Sequence, residues 1–504
     1  MAATSSPKRV RHQGPSAESV TSISTSVVVR TDASMRLGMG HVARCLNLAD
    51  ALARNGAHVA FVTNPLPAGA AQRIQDAGFQ HLTLPANDDA HSQTSPWPKP
   101  AQIADAAATA ELVGRSTDLT IVDHYGLDAA WEEAASSMTR KLVAVDDLAD
   151  RKHCAAALLD HNWSGAGTAG RYERLTEPGA TLLIGPRYAL LDRAYAARHW
   201  ASFERHREPL RTLIISFGGS DPCGETEKVL TALGTIDTEG LAIHVVMGAA
   251  MKERRSHLEL AARGTSVAFH DALPTLAPLF ATADLAIGAG GITTWERICM
   301  GVPSLVTTVA SNQVPVTKAL HEAGAVMWLG DSGNTDPETY RRQIAAALEG
   351  EIPKPPPLVD GHGAARAALA ILGAAAPPRL RPATVDDTAV FVGSDTGTCS
   401  WRDHYLEGPD VWQVEMARFE ADLDASDRMP VVVSSDETPV GAARLSRMAD
   451  RAHAELDLDV AVHTPQFEAQ VIELLNSTLW DPTARRLQPA SRTGNEGLLS
   501  IDVA

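Results

Sequence analysis

From Val27 to about residue 372, short apolar runs alternate with segments whose apolar residues fall at helical spacing. Val27-Val28-Val29 predicts a strand. Behind Gly38-Met39-Gly40-His41, apolar residues at Val42, Cys45, Leu46, Ala49 and Leu52 make the stripe of a helix packed on a sheet, and Gly56 marks its end. Val59 to Val62 predicts the next strand. After a Pro- and Ala-rich interval come Leu119 to Val122, Leu142 to Val145 and Ala157 to Leu159, continuous apolar runs of the kind a buried parallel sheet requires. Thr181 to Gly185 closes this half, and the polar stretch from Arg198 to Glu208 leads to a second α/β unit. Its strands are Thr212 to Phe217, Ile243 to Val246, Leu285 to Ile287 and Ser304 to Val306.

The pattern changes at both ends. Residues 1–24 are rich in Ser, Thr and Pro around Lys8, Arg9 and Arg11, a composition that predicts a flexible tail with solvated charges. Asp360 to Leu372 predicts an alanine-rich helix, and the Ala-Ala-Ala-Pro-Pro segment 374–378 predicts a linker, because paired prolines stiffen a connection. The expected domains are therefore 25–205, 206–373 and 379–504. In the last, Leu456, Leu458, Val460 and Val462 share one side of a strand running from Ala454 to Val462, followed by a helix from about Gln466 to Leu475.

Composition narrows the function. A length of 504 residues with 44% apolar content suits roughly three domains. With 44 basic against 61 acidic side chains, a net charge of -17, the chain is no general nucleic-acid binder, so any phosphate must be held locally. Cys45, Cys154, Cys223, Cys299 and Cys399 are scattered and never spaced as C-x-x-C, which predicts neither a disulfide framework nor a structural zinc site and fits a reducing cytoplasm. No apolar run approaches the roughly 18 residues of a membrane span, and the tail lacks a signal-peptide core. A cytoplasmic protein without a membrane span is expected.

Three features carry candidate chemistry. Gly38 and Gly40 precede a helix start, where free backbone N–H groups can meet an anion, and His41 stands there as a proton acceptor. Asp123, Asp146 with Asp147, and Asp160 end strands at the edge where α/β sheets bind ligands, although Asp there also caps helices. Gly218-Gly219, followed by Ser220, and Gly290-Gly291 each follow a strand and offer amides to a diphosphate. Glu296, one turn later, can accept from ribose hydroxyls or simply favour a helix start.

Arg30-Thr31-Asp32-Ala33-Ser34 with Gly38 through Leu46 resembles the nucleotide-sugar hydrolases of pseudaminic acid biosynthesis, which remove UDP from UDP-2,4-diacetamido-2,4,6-trideoxy-β-L-altropyranose. Val122 to Asp128, Asp146 to Arg151, Gly185 to Tyr188, Ser216 to Pro222, Ile287 to Gly291 with Trp295-Glu296-Arg297, and Asn312-Gln313 extend the resemblance over residues 27–372. It implies two Rossmann-like domains in the GT-B arrangement. UDP would lie mainly on the second, against Gly218, Gly219, Ser220, Gly290, Gly291, Glu296, Asn312 and Gln313, with the sugar facing Gly38 and Gly40 of the first. The implied reaction is inverting attack of water at the anomeric carbon with His41 as base, without metal or cofactor. Asp32, Asp123 and Tyr125 are candidates for orienting His41 or gripping the sugar. The small-molecule partner is a UDP-sugar, and association with other enzymes of the sugar pathway is a further expectation. A GT-B glycosyltransferase and a non-catalytic nucleotide-sugar binding protein are the alternatives.

Arg379 to Thr384 resembles the opening of a GNAT acetyltransferase, which implies a small α+β domain. That family has a basic residue and spaced glycines after the strand that leads to acetyl-CoA. Here His463 to Gln470 holds no glycine, so a degenerate GNAT-like domain that holds no coenzyme A is expected.

Overall fold

The computed structural model describes residues 25–34, 38–85, 95–163, 168–203, 205, 209–271, 273–350, 352, 354–373, 375–392, 417, 419–425, 428–447, 452–458, 462, 464–478, 487–492 and 499–503. The expected tail 1–24, linker residue Ala374, Cys399, residues 459–461 of the expected strand and His463 lie outside them.

The first sheet is parallel throughout. It comprises β1 (Ser26–Thr31), β2 (His58–Thr63), β3 (Gln80–Thr83), β4 (Thr117–Asp123), β5 (Thr139–Val145), β6 (Ala157–Asp160) and β7 (Thr181–Ile184), in the order β3-β2-β1-β4-β5-β6-β7. The second is parallel too, with β8 (Thr212–Ser216), β9 (Ala242–Met247), β10 (Val267–Asp271), β11 (Leu285–Ala289), β12 (Ser304–Thr308) and β13 (Met327–Asp331) in the order β10-β9-β8-β11-β12-β13. Both orders are Rossmann-like, reversing direction between the first and fourth strands. That reversal opens a crevice at the carboxyl edge between β1 and β4 in one sheet and between β8 and β11 in the other. Central strands are apolar on both faces because helices cover both, and Val27, Val28 and Val29 are all buried.

The third sheet is antiparallel, with β14 (Pro378–Pro382), β15 (Arg428–Ser435), β16 (Thr438–Arg447), β17 (Ala452–Leu458), β18 (Leu487–Arg492) and β19 (Leu499–Val503) in the order β14-β15-β16-β17-β19-β18. A helix follows β17 at Pro465–Thr478. Leu456 and Leu458 join Val431, Val433, Phe467 and Val471 in this unit's core. The fold class expected from sequence is thus present: two Rossmann-like domains face each other in the GT-B arrangement, with a smaller α+β unit after them.

The helix Gly363–Leu372 follows the second sheet in sequence but packs on the first half. Ala364, Ala367, Ala368 and Ile371 join Val42, Leu46 and Ala49 of the His41 helix in one core, while Leu369 on the other side belongs to the core of the third sheet. A helix enclosed on two faces needs small apolar residues nearly all round, which explains the alanine run. Arg366 fastens the three parts: it pairs with Asp360, donates from Nη1 to the Arg187 carbonyl at 3.1 Å and from Nε to the Pro439 carbonyl at 2.8 Å. At Gly363 a Cβ would lie 2.4 Å from the Ala189 carbonyl oxygen. Gly363→Ala is therefore expected to lower stability by about 1–3 kcal/mol through overpacking against backbone, read as a lower urea midpoint with an unchanged slope. Among the described residues no helix is long and apolar enough to cross a membrane.

Candidate active site

Thr31, the last residue of β1, pairs in register with Asp123, the last of β4, so the loop leaving β1 starts beside that carboxylate. The loop returns at Gly38, whose N–H donates to the Ser34 carbonyl at 2.8 Å with φ at +74°, a conformation that favours glycine. The helix Gly40–Arg54 follows with no side-chain cap, and its first turn carries His41 down onto the sheet edge.

His41 Nδ1 lies 2.6 Å from Asp123 Oδ1. Asp123 is fully buried and also accepts from Arg44 Nε at 2.7 Å, Arg44 Nη2 at 2.6 Å and Cys45 Sγ at 3.3 Å. Burial alone would raise this carboxyl; Arg44 and then His41 outweigh it and hold it well below the usual carboxylate range. An ionised oxygen at 2.6 Å needs a proton on Nδ1, so Arg44 Nη2, 3.1 Å from the same nitrogen, is a neighbour and not a donor to it. The ring's lone pair is then on Nε2. Arg44 Nη1 continues to Asp147 Oδ2 at 2.7 Å, to which the Tyr125 hydroxyl donates at 3.2 Å. Tyr125 meets the His41 ring edge-on at 4.4 Å between centroids, and burial, then Asp147, raises its phenol so that it stays protonated.

The three first-domain candidates therefore separate. Asp123 orients His41, and Tyr125 packs beside it. Asp32 reaches the cleft but has both oxygens engaged: Oδ1 accepts from the Asn64 N–H at 2.7 Å and Arg30 at 2.9 Å, and Oδ2 from Asn64 Nδ2 at 2.8 Å, with His124 Nε2 at 3.2 Å. It braces the loop after β1 and does not meet His41.

Across the cleft, Gly288 on β11 pairs with Ser216 on β8, so the two glycine loops begin side by side. Gly218 has φ at +83°, and a Cβ on Gly219 would lie 3.2 Å from Met39 Cγ of the facing domain. At Gly290 a Cβ would lie 2.4 Å from Thr317 Oγ1. Gln313 braces its loop through Oε1, which accepts from the Val309 N–H at 2.9 Å, whereas Asn312 Nδ2 crosses the cleft to the Tyr125 hydroxyl at 3.0 Å. Glu296 keeps one buried oxygen, Oε2, without a hydrogen-bond partner among the described residues, and burial pushes its carboxyl up to about 7.

These residues line one cleft of about 2020 Å³: Asp32, Gly38, Gly40, His41 and Tyr125 from one side, Gly218, Gly219, Ser220, Gly290, Gly291, Glu296, Asn312 and Gln313 from the other. Asp123 stands behind His41. Glu437 and Thr438, at the turn between β15 and β16, reach the same cleft from the third unit. Sequence reasoning did not single out Arg44, three residues after His41 and hence on its face of the helix. It noted Asp147 only as a polar strand end and gave His161, the residue after Asp160, no role, yet both line the cleft that holds His41.

No protein-family model matches the chain. The spore coat polysaccharide biosynthesis protein SpsG of Bacillus subtilis is 27% identical over 354 residues, covering 68% of this chain and 96% of that protein. An uncharacterized protein of Methanocaldococcus jannaschii is 23% identical over 285 residues, 56% of this chain, and the chain spans only 55% of its length. Among solved structures, Acinetobacter baumannii MurG superposes with a TM-score of 0.48 at 12% identity over 69% of this chain and 100% of that one. The Streptomyces sp. SF2575 glycosyltransferase SsfS6, complexed with thymidine diphosphate, gives 0.40 at 16% identity over 69% and 100%.

Proposed function

We propose that the chain hydrolyses a UDP-sugar at the anomeric carbon, releasing UDP and the free sugar. The observation that carries this reading is the His41–Asp123 pair, 2.6 Å apart, facing two glycine loops and Glu296 across a single cleft. His41 Nε2 takes a proton from water as it attacks. The diphosphate leaves toward the backbone of Gly218–Ser220 and Gly290–Gly291, where amides stabilise charge that grows as the bond breaks. The Glu296 carboxylate accepts from the ribose. The sugar as a diacetamido-trideoxy hexose of nonulosonic acid synthesis rests on the sequence resemblance, and the similarity to a spore coat polysaccharide biosynthesis protein supports a role in making surface sugars. The third unit is proposed as a degenerate GNAT-like domain that serves structure and borders the cleft; measurable coenzyme A binding by the full chain would overturn this.

The test is incubation with candidate UDP-sugars and no acceptor, following the anomeric proton by NMR. UDP with an inverted free sugar supports hydrolysis. Turnover only after an acceptor alcohol is added supports a glycosyltransferase instead, a reading favoured by the cleft's 2020 Å³, beyond the roughly 300–1,000 Å³ of a small-molecule pocket. Binding without turnover in either case supports a nucleotide-sugar binding protein.

Glu296 gives UDP affinity a pH dependence. Its carboxyl sits at about 7 instead of 4.5, so below pH 7 it is mostly protonated and must lose its proton to accept from both ribose hydroxyls. Affinity therefore rises with pH and levels off above 7. Across pH 6 to 8 the expected gain is about tenfold, in proportion to the ionised fraction. Because the diphosphate titrates nearby, the quantity to measure by calorimetry is the excess of this gain over that of Glu296→Gln.

A further inference from the structure

His161 follows β6 at the carboxyl edge of the first sheet and lines the cleft, yet the reaction outlined above gives it no part. It is 3% exposed, and its Nδ1 is buried with no hydrogen-bond partner among the described residues. An imidazole nitrogen left unpaired in the interior costs free energy, which a turn of the ring toward a ligand in the cleft would recover. The charged and titratable groups around it are Arg44, Asp147, Asp123 and His41. Burial first, and Arg44 second, push the ring down to about 4, so at neutral pH it is uncharged and offers one N–H and one lone pair. An uncharged ring is a poor partner for a diphosphate, whose glycine loops stand on the opposite wall. What it suits is an uncharged polar group held against the first domain.

We propose that His161 is a specificity-determining contact, hydrogen-bonded to a hydroxyl or acylamino substituent of the glycosyl group that lies against His41. This rests on the reading of the ligand as a UDP-sugar.

The test compares UDP, UDP-glucose and UDP-N-acetylglucosamine by calorimetry on the full chain in a His41→Asn background, where the sugars are not consumed. His161→Leu is expected to remove about 5–10-fold of the affinity that the sugar adds over UDP, the size of one hydrogen bond, and to leave UDP itself unchanged. His161→Gln, which keeps a neutral donor and acceptor, is expected to restore part of it. Loss with both sugars assigns the contact to a hydroxyl; loss with the N-acetyl sugar alone assigns it to the acylamino group. Equal weakening of UDP and UDP-sugars in His161→Leu, an undiminished sugar increment, or a parent protein that binds UDP but gains nothing from either sugar overturns the inference alone. A parent protein that binds none of the three overturns the UDP-sugar reading together with it.

Discussion

His41→Asn is expected to slow UDP release about 10²–10⁴-fold, the range that a positioned general base contributes, with UDP affinity within about twofold of the parent. The size follows from geometry. The 2.6 Å bond to Asp123 fixes the ring and commits Nδ1 as a donor, so Nε2 is the proton acceptor, and an amide at this position has no comparable basicity. The split between rate and affinity follows from the cleft, since the groups proposed to hold UDP lie on the other domain. Single-turnover release of UDP, alongside calorimetry with UDP, separates the two quantities. A variant with near-parental turnover would place the base elsewhere.

Asp123→Ala carries the largest expected loss of stability, about 3–5 kcal/mol, because it strands a buried guanidinium. Arg44 is 4% exposed and directs Nε and Nη2 to this carboxylate, leaving only Asp147 to balance it. Urea titration of both proteins measures the difference, and the signs over pH are fixed. Asp123 is held below its ordinary 3.8, so it contributes fully above that value and loses the contribution as pH falls through its folded value. The gap between parent and Asp123→Ala should therefore be flat from pH 5 to 8 and narrow only in acid. Turnover should fall as well, since Nδ1 loses its acceptor and is left facing Arg44 Nη2, a donor that favours the wrong tautomer. Asp123→Asn, which keeps the shape without the charge, should be less unstable while remaining slow.

The central strands were legible in sequence because burial on both faces demands uninterrupted apolar runs. In the two parallel sheets the strands that escaped, β3, β10 and β13, are all edges, where polar residues such as His81, His270 and Asp331 shorten the apolar run. The last unit was poorly legible for a related reason. Val431 and Leu456 alternate with residues of mixed polarity in an antiparallel sheet, and Asp457, on the face opposite Leu456 and Leu458, is buried too. For the site, strand-end and glycine positions follow from chain geometry and could be read directly. Which of Asp32, Asp123 and Tyr125 meets His41 depends on the pairing of β1 with β4, a long-range register that no local pattern encodes. The return of Gly363–Leu372 to the first half was hidden similarly, since its alanines say that the helix is enclosed but not by what.

That return divides the molecule mechanically in a way its chain order does not. The third unit is tethered behind the second domain, yet Leu369 and Arg366 seat it on a helix that is part of the first domain's core. If the cleft opens by hinge motion, the two moving bodies are residues about 193–358 on one side, because Tyr195, His199, Ser202 and Arg205 pack on and bond to the second domain, and everything else on the other. The C-terminal sheet then rides with the histidine, and Glu437 and Thr438 keep a constant distance from it while the glycine loops swing away.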